Sequence, residues 1–101
     1  MDISLDELEE LSAQMGPDRW RQVSDVAQVV ANYLRCHPRV EAVRYPGLKS
    51  DPLFERAAQT LRGGFGPLVH YEVDGQWHCL ECASSDAKDA VLELEELLRD
   101  A

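Results

Sequence analysis

Apolar residues recur at three- and four-residue spacing over Leu5, Leu8, Leu11 and Met15, with Asp6, Glu7, Glu9 and Glu10 elsewhere on the same surface, which predicts an amphipathic helix capped by Ser4 or Asp2. Gly16-Pro17 ends it. Pro17 and Asp18 open a longer helix to Cys36, whose apolar stripe Trp20, Val23, Ala27, Val30 and Leu34 is widened by Val26, Val29 and Tyr33. So broad an apolar surface calls for cover on more than one side, from a sheet and from the first helix. From Val40 the period changes to two. Val43 and Tyr45 alternate with Glu41 and Arg44 as in a half-buried strand, and Pro46-Gly47 breaks it into a sharp turn through Leu48. Asp51 is the expected cap, and Pro52 the first residue, of a short helix to Leu61.

Gly63-Gly64-Phe65-Gly66-Pro67 then leads into two further strands, Leu68 to Val73 and Trp77 to Ala83, around Asp74-Gly75. That dipeptide suits a type I′ hairpin turn, in which both central residues need φ > 0. Pairing Val73 with Gln76 sets Tyr71 opposite His78, His70 opposite Cys79 and Val69 opposite Leu80. Val69, Tyr71, Val73, His78, Leu80 and Cys82 then share the core face, and Leu68, His70, Glu72, Trp77, Cys79 and Glu81 the outward one. Ser84 or Ser85 with Asp86 would cap a last helix whose buried stripe is Ala87, Ala90, Val91, Leu94, Leu97 and Leu98. The predicted class is α+β, a two-layer sandwich in the order ααβαββα. Helices cover one face of a three-stranded, mainly antiparallel sheet.

The stretch His37 to Val73 resembles the C-terminal domain of the Cys/Met-metabolism, trans-sulfuration class of pyridoxal-phosphate (PLP) enzymes, near the O-acetylhomoserine sulfhydrylase branch. The residues that carry the likeness are His37-Pro38, Val40 and Val43, the turn Tyr45-Pro46-Gly47-Leu48, Ser50 and Pro52, and Gly64-Phe65-Gly66 before a strand. It extends over about Val26 to Val73. The resemblance implies PLP chemistry in full-length members. Their cofactor lysine, phosphate-binding residues and substrate-carboxylate arginine fall outside the matched stretch, so no cofactor is expected on this chain alone. In the family a helix usually follows the Gly-rich lead and its strand directly, so the second hairpin strand reads as a remodelled element.

A chain of 101 residues is the size of one small domain, 1–101, with a modest core. A formal net charge of -9 opposes nucleic acid and anionic membrane surfaces as partners. No apolar run approaches the ~20 residues of a membrane span, and Met1-Asp2 opens an acidic stretch unlike a signal peptide. Three cysteines are then expected as reduced thiols in a cytoplasmic protein.

Cys79 and Cys82, with His78 beside them and Cys36-His37 elsewhere, raise a small metal or thiol protein as one alternative. Strand residues three apart point to opposite faces, so structural thiols are the preferred reading, and a redox Cys-x-x-Cys would need a helix N-terminus. His70 opposite Cys79, with Glu72 near, has the residue types of a base and nucleophile, but no oxyanion donor accompanies them. Gly63 to Gly66 precedes a strand instead of opening a helix, which argues against a phosphate cradle. Lys49 and Lys88, the only lysines, lie in an exposed turn and an acidic helix start, poor places for a Schiff base.

The leading expectation is a stand-alone, non-catalytic relative of the C-terminal domain that acts by protein association, as a homodimer or with a protein partner. Trp77, Leu68, Trp20 and Tyr33 are its candidate interface residues. The other alternative is a truncated or split subunit docking on a separate PLP-binding large domain.

Overall fold

In a computed structural model, which describes residues 3–82 and 86–100, seven elements follow in the expected order. They are α1 (Leu5–Met15), α2 (Pro17–Arg35), β1 (Ala42–Arg44), α3 (Phe54–Thr60), β2 (Leu68–Val73), β3 (Gln76–Glu81) and α4 (Ala87–Asp100). The strands form one antiparallel sheet in the order β1-β2-β3. Ser4 caps α1, its hydroxyl accepting from the Glu7 N–H at 3.3 Å. The alternative cap Asp2, the expected strand end Ala83 and the caps Ser84 and Ser85 lie outside the described residues.

The hairpin register is the one set by the Asp74-Gly75 turn, Val73↔Gln76 through Leu68↔Glu81. Both turn residues have positive φ, 53° and 77°, as a type I′ turn requires. The turn is also tethered. The Gly75 N–H donates to Glu41 Oε1 at 3.0 Å, and Arg39 pairs with Asp74 at 3.7 Å while donating to the Leu98 carbonyl at 2.8 Å. A cation at that last carbonyl also complements the negative end of α4.

Helix α2 is the central element because its wide apolar surface packs on β1, β2, α1 and α4 together. The larger core joins Val26, Val30, Ala31 and Leu34 of α2 to Tyr45, Val69, Val73, Cys82, Leu94 and Leu98, with Tyr71 and Leu80 packed against it. A smaller core holds Leu8, Trp20, Ala57 and Leu61, and Phe65 touches both. Each buried Val or Leu among them contributes on the order of 1.5–3 kcal/mol relative to exposure.

Five expectations are corrected. His78, expected on the core face, is exposed, and Val29, expected to widen the covered surface of α2, is 48% exposed. Helix α3 begins at Phe54, not Pro52, and Asp51 is not its cap; the N-cap position is Leu53, with no side-chain bond. The Asp51 carboxylate is instead used by β1 and the turn that follows it. Leu97 is 64% exposed rather than buried, since α4 rests on α2 through Leu94 and Leu98 and Leu97 falls off that contact line. Trp20 is 1% exposed, enclosed within the smaller core, and so has no surface to offer a partner.

A Cβ on Gly75 would meet no atom within 4 Å, so Gly75→Val tests the backbone conformation alone. At φ 77° the variant should lose about 1–2 kcal/mol of stability, read as a lowered melting temperature.

Candidate functional site

The turn after β1 is built around one carboxylate. Asp51, its side chain 1% exposed, accepts from Arg44 Nε at 2.9 Å and from an Arg44 terminal nitrogen at 3.3 Å. It also accepts from the Tyr45 N–H at 3.1 Å and the Leu53 N–H at 2.9 Å. Four donors on one buried carboxylate satisfy a charge that would otherwise be costly to bury, and they fix the strand, the turn and the start of α3 together. Gly47 is held in the same unit by Gln28, whose amide donates to the Gly47 carbonyl at 3.1 Å. Pro46 and Leu48 are buried.

The Gly-rich lead folds onto α2. The Trp20 indole N–H donates to the Gly64 carbonyl at 3.2 Å, the Gly66 N–H donates to the Ser24 hydroxyl at 3.0 Å, and the Tyr45 hydroxyl donates to the Gly66 carbonyl at 2.9 Å. Burial pushes the Tyr45 phenol well above its ordinary range, with Cys82 and Asp25 adding to the rise. A Cβ on Gly64 would collide with the Ser24 side chain, so a side chain is excluded where this loop meets the helix. The Gly66 N–H and the Gly64 and Gly66 carbonyls therefore serve the chain itself.

The outward sheet face carries the remaining candidates. Arg44, His70 and Cys79 form one row across the three strands, and Glu72 and Trp77 the next. Helix α1 overhangs one end of this face, enclosing a cavity of about 380 Å³ lined by Leu8, Leu11, Pro46, Leu68 and His70 with Ser4, Glu7, Glu10 and Gln14 at its polar edge. Cavities of this size are in the range used by small ligands. Of the expected interface residues, Trp77 is 38% exposed, Leu68 is half-buried against the smaller core, and Tyr33 is half-buried with its ring 5.7 Å from that of His37.

The expected thiol chemistry meets a geometry that does not favour it. Cys82 is buried and Cys79 exposed on the opposite face, so the two sulfurs cannot converge on one metal ion. Among the described residues no group of three His, Cys, Asp or Glu could hold a metal. Burial, with Cys79 second, pushes the Cys82 thiol up to about 11; burial and then Glu81 raise that of Cys79. Both therefore resist forming the reactive thiolate. His70 does stand opposite Cys79, but its Nδ1 is buried without a hydrogen-bond partner among the described residues, so Glu72 does not orient it as a base. Lys49 and Lys88 are exposed.

Sequence reasoning missed the Asp51 clamp and the cavity under α1. Asp-Pro ahead of a helical pattern carries a cap signal, and only the Arg44 seven residues earlier hinted at a different use. The cavity has no local signature because it lies between elements far apart in sequence.

The sequence profile of the family described as Cys/Met metabolism PLP-dependent enzyme matches residues 17–93. Cystathionine gamma-synthase 1, chloroplastic, of Arabidopsis thaliana is 42% identical over 57 residues, which are 56% of this chain and 10% of that protein. O-acetyl-L-homoserine sulfhydrylase of Leptospira meyeri is 40% identical over 60 residues, 58% of this chain and 14% of that one. In three dimensions the chain is similar to a putative O-acetylhomoserine (thiol)-lyase from Campylobacter jejuni, with a TM-score of 0.72 at 17% identity over 77% of this chain and 28% of that one. The last likeness is one of fold, and that crystal structure contains N′-pyridoxyl-lysine-5′-monophosphate. In each case the chain corresponds to a small part of its relative's length.

Replacing Asp51 by Ala should cost on the order of 3 kcal/mol, because it strands buried donors that the carboxylate satisfied. Urea denaturation reads the loss, and Arg44→Ala in the same background should add less than it does alone. His70 is held below its ordinary 6.5, by burial first and Arg44 second. Its neutral form is thus favoured by folding, and this contribution is present above pH 6.5 and lost as pH falls through the lower folded value. Urea midpoints should fall more steeply between neutral and mildly acidic pH for the parent chain than for His70→Gln.

Proposed function

The chain belongs to the Cys/Met metabolism family of PLP-dependent enzymes, and from that membership we propose that it is a stand-alone, non-catalytic relative of the family's C-terminal domain, acting through protein association. The observation that carries this reading is the mismatch between the residues present and the cofactor. An imine-forming lysine needs an amine desolvated by its surroundings, yet Lys49 and Lys88 are exposed. A phosphate needs free N–H donors and room to approach them, yet the Gly66 N–H is given to the Ser24 hydroxyl and the loop lies so close to α2 that added side-chain atoms would strike Ser24 and Trp20. The residues present do not fit PLP, and no catalytic step is assigned to them.

Association is supported by what the fold leaves uncovered. The outward sheet face combines the partly exposed Trp77 with a cavity beside Leu68 lined by apolar and polar side chains alike, and uncovered apolar surface is characteristic of interfaces. A homodimer is the simplest assembly that covers it. A second reading, docking on a separate lysine-bearing large-domain chain in sulfur amino-acid metabolism, is supported by the same face.

Absorbance titration with PLP separates these readings from a catalytic one. The purified chain should show no stoichiometric imine band, and a band abolished by Lys49→Ala or Lys88→Ala would overturn the proposal. A band appearing only on addition of a large-domain chain would establish the second reading. Sedimentation equilibrium at micromolar concentration should show a homodimer; a monomer of 11.4 kDa throughout would exclude self-association.

A further inference from the structure

Strand β3 is an outer strand of the sheet, and only one of its edges is used. Its register with β2 closes on the two-residue turn at Val73 and Gln76, and at the other end the Cys82 N–H donates to the Pro67 carbonyl at 2.8 Å. Antiparallel alternation therefore turns the backbone groups of Gln76, His78 and Leu80 toward β2, and those of Trp77, Cys79 and Glu81 toward the open side. Among the described residues no other element pairs with that side. The strand is exposed at five of its six positions. It contains no lysine, no proline and no bulge, the usual means of blocking an open edge.

We infer that this edge pairs antiparallel with the same edge of a second copy, about a two-fold axis perpendicular to the sheet at Cys79. The inference rests on the association reading above for the homodimer alone; its surface is the β3 edge, which adjoins the outward face and leaves that face open. A perpendicular two-fold keeps outward side chains outward, so opposed residues must share a face. The register centred on Cys79 sets it opposite the partner's Cys79 and sets Trp77 opposite the partner's Glu81. All three N–H and all three C=O groups of each open edge are then used, in six hydrogen bonds. Centring on His78 or Leu80 leaves Glu81 or Trp77 unpaired and forms four.

A second copy also answers the charge problem. The chain carries a net charge of -9, which opposes self-association in general, but Glu81 is the sole carboxylate of β3 and faces an indole, not another carboxylate. Like charges directly opposite one another are thereby avoided. The two-fold closes the assembly as a six-stranded sheet, β1-β2-β3 followed by its mirror order, with α2 and α4 of both copies on the same side.

Site-specific cross-linking tests the register. In a Cys36→Ser background the exposed thiol is Cys79, Cys82 being buried. Residues in a hydrogen-bonded antiparallel pair have Cα atoms about 5.5 Å apart, within disulfide reach. Diamide, reduced as it takes two electrons and two protons from two thiols, should convert the chain to a disulfide-linked dimer, and Cys79→Ser should abolish that product. Cys79→Asp, a change at an exposed side chain, sets two carboxylates on the axis and should weaken the non-covalent dimer about tenfold or more with an unchanged circular dichroism spectrum. A dimer that ignores Cys79→Asp and gives no Cys79 cross-link would overturn this edge while leaving association through another surface. A monomer at all concentrations would sink both, and open-ended oligomers would indicate β1-to-β3 pairing in place of the two-fold.

Discussion

The Asp51 carboxylate is the constraint on which the rest of the structure depends. By accepting from Arg44, Tyr45 and Leu53 it turns an irregular stretch between β1 and α3 into a fixed corner. Tyr45 is thereby aimed into the core, where its hydroxyl reaches the Gly66 carbonyl, and the Gly-rich lead is in turn held against Ser24 and Trp20 of α2. One buried charge thus sets where β2 begins relative to β1. Partial exposure of Arg44, 25% by side chain, spares the pair much of the desolvation cost of full burial.

What could be read from the sequence divides along the range of the interactions. The hairpin register was legible because the Asp74-Gly75 turn fixes it within four residues and the alternation of Val69, Tyr71 and Val73 agrees with it. The α2 stripe was legible by period, and the element order followed. Asp51 was misread as a cap because Asp-Pro before a helical pattern carries the same local signal whether the carboxylate serves that helix or a strand seven residues back. Trp20 was assigned to an interface for a related reason. Periodicity shows that a residue faces apolar surroundings, but not whether α1 and the Gly-rich lead or another molecule provides them. Leu97 shows the limit in reverse, since a stripe wide enough for two neighbours met only one.

The family relationship and the geometry bear on different things. Membership accounts for the strand, turn and helix from β1 to β2, the part held together by Asp51 and Tyr45. The outward face carries a cavity beside α1, an imidazole nitrogen buried without a hydrogen-bond partner among the described residues, and the Cys79 thiol, whose pKa is raised by burial and then by Glu81. Among the described residues no helix is long and apolar enough to cross a membrane.

The tethered hairpin also bears on the order in which the chain can fold. Closing β2 on β3 orders a two-residue turn and can proceed on the roughly microsecond scale of hairpins, whereas β1 must reach β2 across the whole of α3 and its flanking turns. The hairpin is therefore available as a template before its third strand arrives. Of its two initial edges, the one along β2 is consumed by β1 within the same molecule, and the Arg39 and Glu41 contacts to the turn are formed in that same docking step. Non-local closure, and not strand formation, is then the slow event of folding.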